Sequence, residues 1–252
     1  MMFETIEVVR GSRVTVIWLN RPKLHNAMNE LMVRELTRAI HESAQDADVS
    51  AIVLASRGDS FCSGMDLNWY QTILDDEHSS LDTLAVAVSS LLKAIDVASV
   101  PIIARVNGHC VGAGIGLVAA VDIAVASHDA EFTQTETRLG LIPHIVAPYL
   151  NRAIGERNAV RWLITGETFS SAEAWRLGLV HEICDLSDLD ARINGILGHL
   201  MTAELGAVKS TKKMIKRLSE IDTPVFDHVL AKEGVSAFLE KRWPSWAPEE
   251  LK

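Results

Sequence analysis

PIIARVNGHCVGAGIGLVAAVD, residues 101–122, is the stretch that decides the fold of this chain. It predicts a short buried strand that ends at Asn107-Gly108, then a turn with several glycines, and then a buried helix rich in alanine, valine and leucine. Glycines at such a junction let the backbone turn sharply and let another group approach it closely. The first N–H groups of a helix have no partner within the helix and can hold an oxyanion. The turn is therefore either an anion-binding site or a place where strand and helix pack tightly.

Three known kinds of glycine loop do not fit these residues. A dinucleotide-binding loop needs G-x-G-x-x-G, but after Gly112 and Gly114 the third position is Leu117. A phosphate-binding loop needs Gly-Lys followed by Ser or Thr, which the chain lacks. A hydrolase elbow needs G-x-S-x-G, and residues 58–62 miss the last glycine. A backbone site for an anion other than a nucleotide phosphate remains.

The composition is that of a globular protein. With 252 residues the chain can form one large domain, or a core domain with a smaller appendage. The net charge of −9 argues against a nucleic-acid partner, which would need a basic face. We expect no secretory leader, because residues 1–11 carry acids and contain no long apolar core. We expect no membrane partner, because the apolar run from Ile115 to Val125 is interrupted by Asp122 and is too short to span a bilayer.

The cysteines indicate a reducing compartment. There are three, with no C-x-x-C pair, at Cys62, Cys110 and Cys184. This usage predicts reduced thiols in a cytoplasmic protein, with neither a disulfide framework nor a metal site. We interpret Cys110, near the glycine turn, as a small apolar packing residue.

Strands alternate with helices over the first part of the chain, which predicts an α/β core. We expect a hairpin over residues 4–19, a helix capped by Asn29, a strand at 51–55, a helix over 81–95 and a strand at 123–126. From about Ala153 the pattern is helical, with segments at 156–165, 171–177, 189–218 and 225–239. We therefore predict a core over residues 1–190 and a helical region over residues 191–252.

A second glycine turn occurs in residues 59–69, DSFCSGMDLNW, where a strand leads into Gly64 and a helix follows from Asp66. Two strand ends that each deliver a glycine turn can direct two backbone N–H groups at one oxygen, which is how an oxyanion hole is built. Taken alone, this segment is better interpreted as only a turn with an aspartate cap.

Four motifs in order extend this interpretation: FCSGMDL, NGHCVGAGIGLVAAVDIAVAS, AEFTQTETRLGLIP and AFLEKRWPSW. Together they resemble the crotonase (enoyl-CoA hydratase/isomerase) superfamily, and the resemblance runs from the first hairpin to the C-terminal tail. It implies a core in the form of a ββα superhelix, followed by a C-terminal helical trimerisation region. The implied assembly is a homotrimer or a dimer of trimers.

The resemblance also implies the chemistry of the site. The backbone N–H groups of Met65 and Ala113 would form an oxyanion hole for the thioester carbonyl of an acyl-CoA. Two such donors are worth roughly 3–4 kcal/mol each. Glu136 would act as general acid/base, because desolvation in an apolar pocket raises the pKa of a carboxyl group. Coenzyme A is part of the substrate, and no separate cofactor or metal is implied.

The resemblance places coenzyme A contacts along the chain. Ala27 would hold the adenine end by main-chain contacts, and Leu67 would lie beside the pantetheine channel. The C-terminal residues would cover the coenzyme A, often that of a neighbouring subunit. The implied contact residues are Ala27, Ser63, Asp66, Leu67, Phe238 and Lys241.

One departure from the family pattern puts simple hydration in doubt. Hydratases with two glutamates carry the first where this chain has Gly116. Family isomerases commonly use a residue of the Glu136 type alone. The bacterial methylglutaconyl-CoA hydratase branch, which these motifs also resemble, has glycine at that position as well.

Three further residues belong to the predicted acyl pocket. His144 follows Pro143 and either serves in the pocket or packs at the surface. Arg138 either meets a distal carboxylate of the substrate or is a helix-surface charge.

We therefore expect a hydro-lyase for a branched enoyl-CoA such as 3-methylglutaconyl-CoA. The alternatives are a Δ3,Δ2-enoyl-CoA isomerase, an acyl-CoA decarboxylase, or a non-catalytic protein that binds acyl-CoA or RNA. The basic run KSTKKMIKR, residues 209–217, is interpreted as a solvated helix face or as charge for coenzyme A phosphates.

Overall fold

The computed structural model describes residues 3–75, 81–216 and 228–249. Its strands are β1 (Ile6–Arg10), β2 (Val14–Leu19), β3 (Ala51–Ser56), β4 (Ser60–Cys62), β5 (Ile102–Val106), β6 (His109–Val111), β7 (Ile123–Ser127), β8 (Glu131–Thr133), β9 (Thr168–Ser170) and β10 (Glu182–Cys184). Its α-helices are α1 (Glu30–Gln45), α2 (Leu67–Asp75), α3 (Leu81–Val97), α4 (Ala113–Ala120), α5 (Ala147–Ile154), α6 (Glu156–Thr165), α7 (Ser171–Leu177), α8 (Leu189–Thr202), α9 (Leu205–Lys216) and α10 (His228–Leu239). Short 3₁₀ segments cover Pro22–Leu24, Glu136–Leu139 and Leu186–Asp188.

Two sheets organise these strands. The larger has the order β1-β2-β3-β5-β7-β10, in which β1 and β2 form the predicted antiparallel hairpin and the later neighbours are parallel. The smaller has the order β4-β6-β8-β9, parallel except for the last pair. Parallel strands need crossover connections, and here helices supply them. The predicted α/β class is confirmed.

A repeated unit brings the two glycine turns together. Each of β3, β5 and β7 is followed within a few residues by a short strand of the smaller sheet, namely β4, β6 and β8. In that sheet β4 pairs with β6, with Cys62 opposite Cys110. Because both strands run in the same direction, the glycine turns that follow them lie side by side.

Helix α4 lies in the interior, as its sequence predicts. All of its residues are buried, and it is apolar on every side, which is typical of a helix with no solvent face. It lies between α3 and the segment before α5, since Gly116 approaches Leu92 and Val146. The main core lies between the larger sheet and the helices on this side.

The opposite face of the larger sheet is covered by α8. Leu189 and Ile193 of this helix belong to one buried cluster with Val53, Ile103 and Val125 of three adjacent strands. Residues 189–202 therefore complete the core of the single chain. The division into a core over 1–190 and a helical region over 191–252 stays a prediction.

Several predicted elements are confirmed, and one region differs. Asn29 caps α1, because its Oδ1 accepts a hydrogen bond from the Met32 N–H at 3.0 Å. The helical pattern expected beyond Ala153 contains two strands, β9 and β10, which are three residues long and so show no alternation that the sequence could reveal.

The helical stretch predicted over 189–218 consists of two helices, α8 and α9. The helical ladder stops at Thr202, where Ala203 adopts an extended backbone, and α9 begins two residues later. Residues 217 and 218 lie outside the described residues, as does the start of the helix predicted over 225–239.

The C-terminal tail folds back onto α10. Glu233 pairs with Arg242 at 2.9 Å and accepts a hydrogen bond from the Ser245 N–H at 2.8 Å. The helix leaves a set of large apolar side chains more than 60% exposed: Val229, Val235, Phe238 and Leu239.

Within residues 3–75, 81–216 and 228–249, no helix has the length and apolarity needed to cross a membrane. The same residues contain no group of three or more His, Cys, Asp or Glu side chains that could hold a metal ion. Cys62, Cys110 and Cys184 are buried free thiols.

Candidate active site

The first glycine turn lies against the second. Gly64 has φ of 89°, and a Cβ at this residue would come within 2.9 Å of the Val111 oxygen and 3.6 Å of the Ala113 nitrogen. Both the backbone conformation and the close approach require glycine. Met65, the next residue, is thereby brought beside the start of α4.

Pairing with Met28 directs the Met65 N–H away from the body of the loop. The Met28 N–H donates to the Gly64 carbonyl at 2.7 Å, and the Asp66 N–H donates to the Met28 carbonyl at 2.9 Å. Successive peptide groups of an extended chain point to opposite sides, so the Met65 N–H points away from Met28. Among the described residues this N–H has no acceptor.

Asp66 pins this turn to the preceding loop. Its carboxylate lies 3.0 Å from the Arg21 guanidinium and accepts a hydrogen bond from the Asn68 N–H at 3.0 Å, which caps α2. Arg21 also donates to the Ala27 carbonyl. The pair therefore joins the segment expected to hold adenine to the segment that carries Met65, and the ion pair is largely buried.

The second turn presents the N–H of Ala113. Gly112 has φ of 54° and donates from its N–H to the Thr133 carbonyl at 2.9 Å, which fixes the turn to β8. Ala113 is the first residue of α4, and its N–H has no acceptor within the described ranges. A Cβ at Gly114 would lie 2.6 Å from the Cys62 oxygen, so only glycine lets the helix start this close to β4.

Glu136 begins a 3₁₀ segment after β8, and its carboxylate lies over Gly112. Its Oε1 is 3.1 Å from the position that a Cβ of Gly112 would occupy, and its Oε2 is buried without a partner among the described residues. Burial raises the pKa of this carboxyl group, although its own N–H, Gln134 and the Thr135 N–H act in the opposite direction. A proton acceptor and donor thus lies next to the residue before Ala113.

At Gly116 the same helix face is covered by hydrocarbon. A Cβ at this residue would lie 3.0 Å from the Leu92 Cδ1 and 3.1 Å from the Val146 Cγ2. A glutamate at this position would need both side chains to move. The first carboxylate of the two-glutamate pattern is therefore absent, and its space is occupied.

The other predicted pocket residues are spread around the Glu136 segment. His144 is exposed, and its Nδ1 lies 3.1 Å from the Ile142 carbonyl oxygen of the same loop. Arg138 is exposed, with its Nε against Gly166. Pro143 is half-buried, and its carbonyl accepts a hydrogen bond from the Ala147 N–H at 2.9 Å. No hydrogen bond or ion pair between the described residues joins His144 or Arg138 to the Glu136 carboxylate, and their roles stay predictions.

The predicted coenzyme A residues fall into two groups. Ala27, Ser63 and Asp66 lie in adjoining turns, where the Ser63 N–H donates to the His25 carbonyl at 2.9 Å, and Leu67 beside them is 63% exposed. The second group is on α10 and its end: Phe238 is 82% exposed, and Lys241 is exposed with φ of 54°. Contacts of either group with coenzyme A stay predictions.

Sequence reasoning assigned no role to two residues near Glu136. Tyr70 of α2 is half-buried, and burial together with the Glu136 charge raises the pKa of its hydroxyl group. Gln134 is 1% exposed, and neither polar atom of its amide has a partner among the described residues.

Comparisons with known proteins fit this geometry. Residues 10–249 match the sequence profile of the enoyl-CoA hydratase/isomerase family. A protein named "probable enoyl-CoA hydratase" from Mycobacterium tuberculosis is 32% identical over 259 residues, covering 98% of this chain and 99% of that protein. A peroxisomal Δ(3,5)-Δ(2,4)-dienoyl-CoA isomerase from Arabidopsis thaliana is 31% identical over 271 residues, covering 97% and 98%.

A solved structure agrees as closely. The crystal structure of an enoyl-CoA hydratase from Mycobacterium smegmatis is 33% identical and superposes with a TM-score of 0.89, covering 96% of this chain and 99% of that one. The resemblance read from the four motifs is confirmed, and so is the fold it implies. The chain belongs to the enoyl-CoA hydratase/isomerase family and is an enzyme of that family.

Proposed function

We propose that the enzyme adds water across the α,β double bond of a branched enoyl-CoA such as 3-methylglutaconyl-CoA, and removes it in the reverse direction. The observation that carries the proposal is the buried Glu136 carboxylate over Gly112, beside the unpartnered N–H of Ala113. An acid/base group and an oxyanion donor thus meet at one place, as hydration requires.

A single carboxylate suffices for the reaction. The thioester oxygen accepts hydrogen bonds from the Met65 and Ala113 N–H groups. As the water oxygen bonds to the β-carbon, the π electrons move to the thioester oxygen and Glu136 takes a proton from the water. Glu136 then returns that proton to the α-carbon and regenerates the thioester and the carboxylate.

The hydrocarbon at Gly116 supports a branched substrate. Leu92 and Val146 occupy the space where the side chain of a second carboxylate would begin. Apolar side chains stabilise a methyl branch by burial, at about 0.8 kcal/mol per buried methylene-sized group. The resemblance of the motifs to the methylglutaconyl-CoA hydratase branch, which also has glycine at this position, points the same way.

Isomerisation is the second candidate. The same carboxylate can move one proton between the α- and γ-carbons of a 3-enoyl-CoA while the oxyanion hole holds the enolate. The absence of a carboxylate at Gly116 favours it, as does the similarity to a plant dienoyl-CoA isomerase. An acyl-CoA decarboxylase would use the same hole.

The proposed assembly is a homotrimer or a dimer of trimers. The apolar side chains that α10 exposes support burial against another subunit, where Phe238 and Lys241 would cover the coenzyme A of that neighbour. Sedimentation equilibrium of the purified enzyme tests this assembly, and a stable monomer would contradict it. We propose a cytoplasmic location from the three unpaired cysteines.

A thioester absorbance assay tests the function. Purified enzyme is given 3-methylglutaconyl-CoA, crotonyl-CoA and a 3-enoyl-CoA in parallel, with Glu136→Gln as the comparison. Hydration of the branched substrate, lost in the variant, is the expected result. Turnover of only the 3-enoyl substrate would make the enzyme an isomerase, and turnover of none would leave a decarboxylase.

A further inference from the structure

Arg21 and Asp66 form a buried ion pair beside the first glycine turn. The guanidinium lies 3.0 Å from the carboxylate, and the two side chains are only 16% and 10% exposed. Desolvation offsets most of the attraction in a buried pair, so apolar side chains of the same size would stabilise the fold about as well. What such a pair supplies is direction, because each charged group holds the other in one place.

The guanidinium spans an isolated backbone bridge. Met28 and Met65 pair through this bridge, which is not extended into a longer ladder. The Nη1 of Arg21 donates to the Ala27 carbonyl, next to Met28, and its Nη2 donates to the Asp66 carboxylate, next to Met65. One side chain therefore holds both sides of the bridge.

The backbone of Arg21 is itself fixed. Its N–H donates to the Asn26 Oδ1 at 2.9 Å. Asn26 is fully buried with a φ of 56°, and its Nδ2 donates to the carbonyls of Ser60 and Arg57 at 2.8 and 2.9 Å. The Arg21 side chain thus extends from a base attached to the start of β4, the strand that leads into the first glycine turn.

The direction of the Met65 N–H depends on the bridge. The carbonyl of the same peptide group belongs to Gly64 and accepts from the Met28 N–H at 2.7 Å, so the N–H points to the other side. Loss of the bond to Asp66 would free this segment to rotate about the bridge, and the N–H would rotate with it. A misplacement of about 1 Å near the reacting atoms can cost on the order of 10²-fold in rate.

We propose that Arg21 is a positioning residue, which holds the Met65 N–H in the direction that the thioester oxygen needs. Arg21 acts through Asp66 and the bridge, and not by contact with the reacting atoms. This inference rests on the acyl-CoA function proposed above, of which it requires the oxyanion hole but no attacking water. A lysine would not replace Arg21, because one ammonium lacks the two separate nitrogens that reach Ala27 and Asp66.

The first test measures the hole without hydration. The probe is butyryl-CoA with carbon-13 at the thioester carbonyl, and infrared difference spectroscopy measures the carbonyl stretch, which hydrogen bonds to the oxygen lower. We expect a downward shift on binding to the wild type. In Arg21→Met we expect loss of roughly half of that shift or more, because one of the two donors is misdirected.

Arg105→Met is the matched control. The Arg105 side chain is 13% exposed and pairs with Asp190 at 2.5 Å, against α8 and on the face of the larger sheet opposite to α4. Both substitutions remove a mostly buried guanidinium from an aspartate, but only one of these lies beside the bridge. We expect Arg105→Met to keep the whole carbonyl shift.

Reaction rates give a second measurement. Hydration of 3-methylglutaconyl-CoA and exchange of the α-protons of butyryl-CoA in heavy water both develop charge on the thioester oxygen. We expect both rate constants to fall by about tenfold or more in Arg21→Met, towards the roughly 10²–10³-fold that removal of one donor costs. KM is expected to stay within about threefold, because the hole acts more strongly on the transition state than on bound substrate.

Asp66→Asn keeps the inference testable if Arg21→Met does not fold. It preserves the size of the side chain and an oxygen for the Asn68 N–H, but removes the charge that Arg21 meets. We expect the same loss of the carbonyl shift, and retention of the shift would overturn the inference. Because the two residues act as one unit, the double variant Arg21→Met/Asp66→Asn should lose no more than the more affected single variant. Additive losses would contradict the proposal.

The remaining outcomes are distinct. An unchanged shift in Arg21→Met that is folded by circular dichroism would assign the pair a purely structural role and overturn the inference. Equal losses in Arg21→Met and Arg105→Met would overturn it as well. No shift with the wild type would overturn the inference together with the predicted hole. A shift that Arg21→Met loses, in an enzyme that hydrates none of the substrates, would support the inference and overturn the proposed hydration.

Discussion

At the Gly112 end of α4 a carboxylate covers the helix, whereas one turn further along, at Gly116, two hydrocarbon side chains cover it. A Cβ added at either glycine would meet its neighbours at nearly the same distance. At Gly112 it would lie 3.1 Å from the Glu136 Oε1, and at Gly116 it would lie 3.0 and 3.1 Å from Leu92 and Val146. The difference is chemical. A carboxylate near the start of a helix interacts favourably with unpartnered N–H groups, but one turn inside it would be desolvated among aliphatic groups.

This difference limits the reactions open to the enzyme. One carboxylate can carry one proton, so a single proton has to serve both halves of the reaction. At Gly116, hydrocarbon occupies the space that a second acid/base group would need. Substitutions at Glu136, Gly116 and Tyr70 test whether the carboxylate beside Gly112 and the hydrocarbon beside Gly116 have these separate roles.

Glu136→Gln is expected to lower kcat for hydration by roughly 10²–10⁴-fold, the usual contribution of a general acid/base. The same loss is expected for exchange of α-protons, because both need the carboxylate at the Gly112 end. Stopped-flow absorbance and proton NMR in heavy water measure the two rates. Thr137→Val, an exposed neighbour on the same 3₁₀ segment, is the control. Activity retained within tenfold in Glu136→Gln would show that the acid/base group lies elsewhere.

Gly116→Glu is expected to lower the free energy of unfolding by about 1–3 kcal/mol, because the added side chain overpacks Leu92 and Val146. Hydration is not expected to rise. The double variant Gly116→Glu/Leu92→Ala provides space for the new side chain. Its loss of unfolding free energy is therefore expected to be smaller than the sum of the losses in the two single variants. Urea denaturation followed by circular dichroism measures the stabilities. An unchanged free energy of unfolding in Gly116→Glu would contradict this prediction, because it would show that α4 accepts a carboxylate at position 116 as well as beside Gly112.

The pH dependence of hydration is expected to follow the ionisation of Glu136, the carboxylate beside Gly112. Burial raises the pKa of Glu136 above its ordinary 4.5, and the ionised form is needed to accept the proton of water. The kcat/KM for hydration should therefore fall as the pH drops through a value above 4.5. The folded state also binds this proton more tightly than the unfolded chain, so Glu136 stabilises the fold below about pH 4.5 and this contribution is lost as the pH rises. Glu136→Gln should remove that slope from the unfolding free energy, and an acid limb at or below pH 4.5 would contradict the assignment.

Tyr70→Phe is expected to have the smallest effect. Burial and the charge of Glu136 raise the pKa of the Tyr70 hydroxyl group. The pKa of Glu136 itself is raised by burial, which a phenylalanine ring at position 70 would preserve. We expect kcat/KM to change by at most about tenfold, equivalent to one hydrogen bond of about 1.4 kcal/mol. A loss as large as that of Glu136→Gln would make Tyr70 part of the proton-transfer machinery.

Most elements at the centre of the fold could be predicted from the spacing of apolar residues and glycines in the sequence. The apolar run at residues 102–106 and the uniformly apolar helix after Gly112 are short-range signals, and both elements are where the sequence predicts them. The strands of three residues were not readable, because β6, β9 and β10 are held by pairing with distant strands and not by their own composition. The break between α8 and α9 also escaped prediction, since neither residue of the break, Ala203 or Glu204, is a glycine or proline.

The candidate site shows the same division. Glycine at positions 64, 112 and 114 is a sequence signal, because each requires a conformation or a close approach that other residues resist. The buried amide of Gln134 gave no comparable signal. A glutamine at the end of a strand is ordinarily solvated, and its isolation follows only from the packing around it.

The amino-acid sequence was enough to establish the α/β class and the family, and to predict one acid/base residue. These properties depend on residue types at short spacing, on glycine above all, and such information is local. The folded chain alone showed that Leu92 and Val146 occupy the space beside Gly116, and that the ion pair of Arg21 with Asp66 fixes the Met65 turn. Each of these depends on contacts between segments tens of residues apart, whose geometry is set by the packing of the whole core.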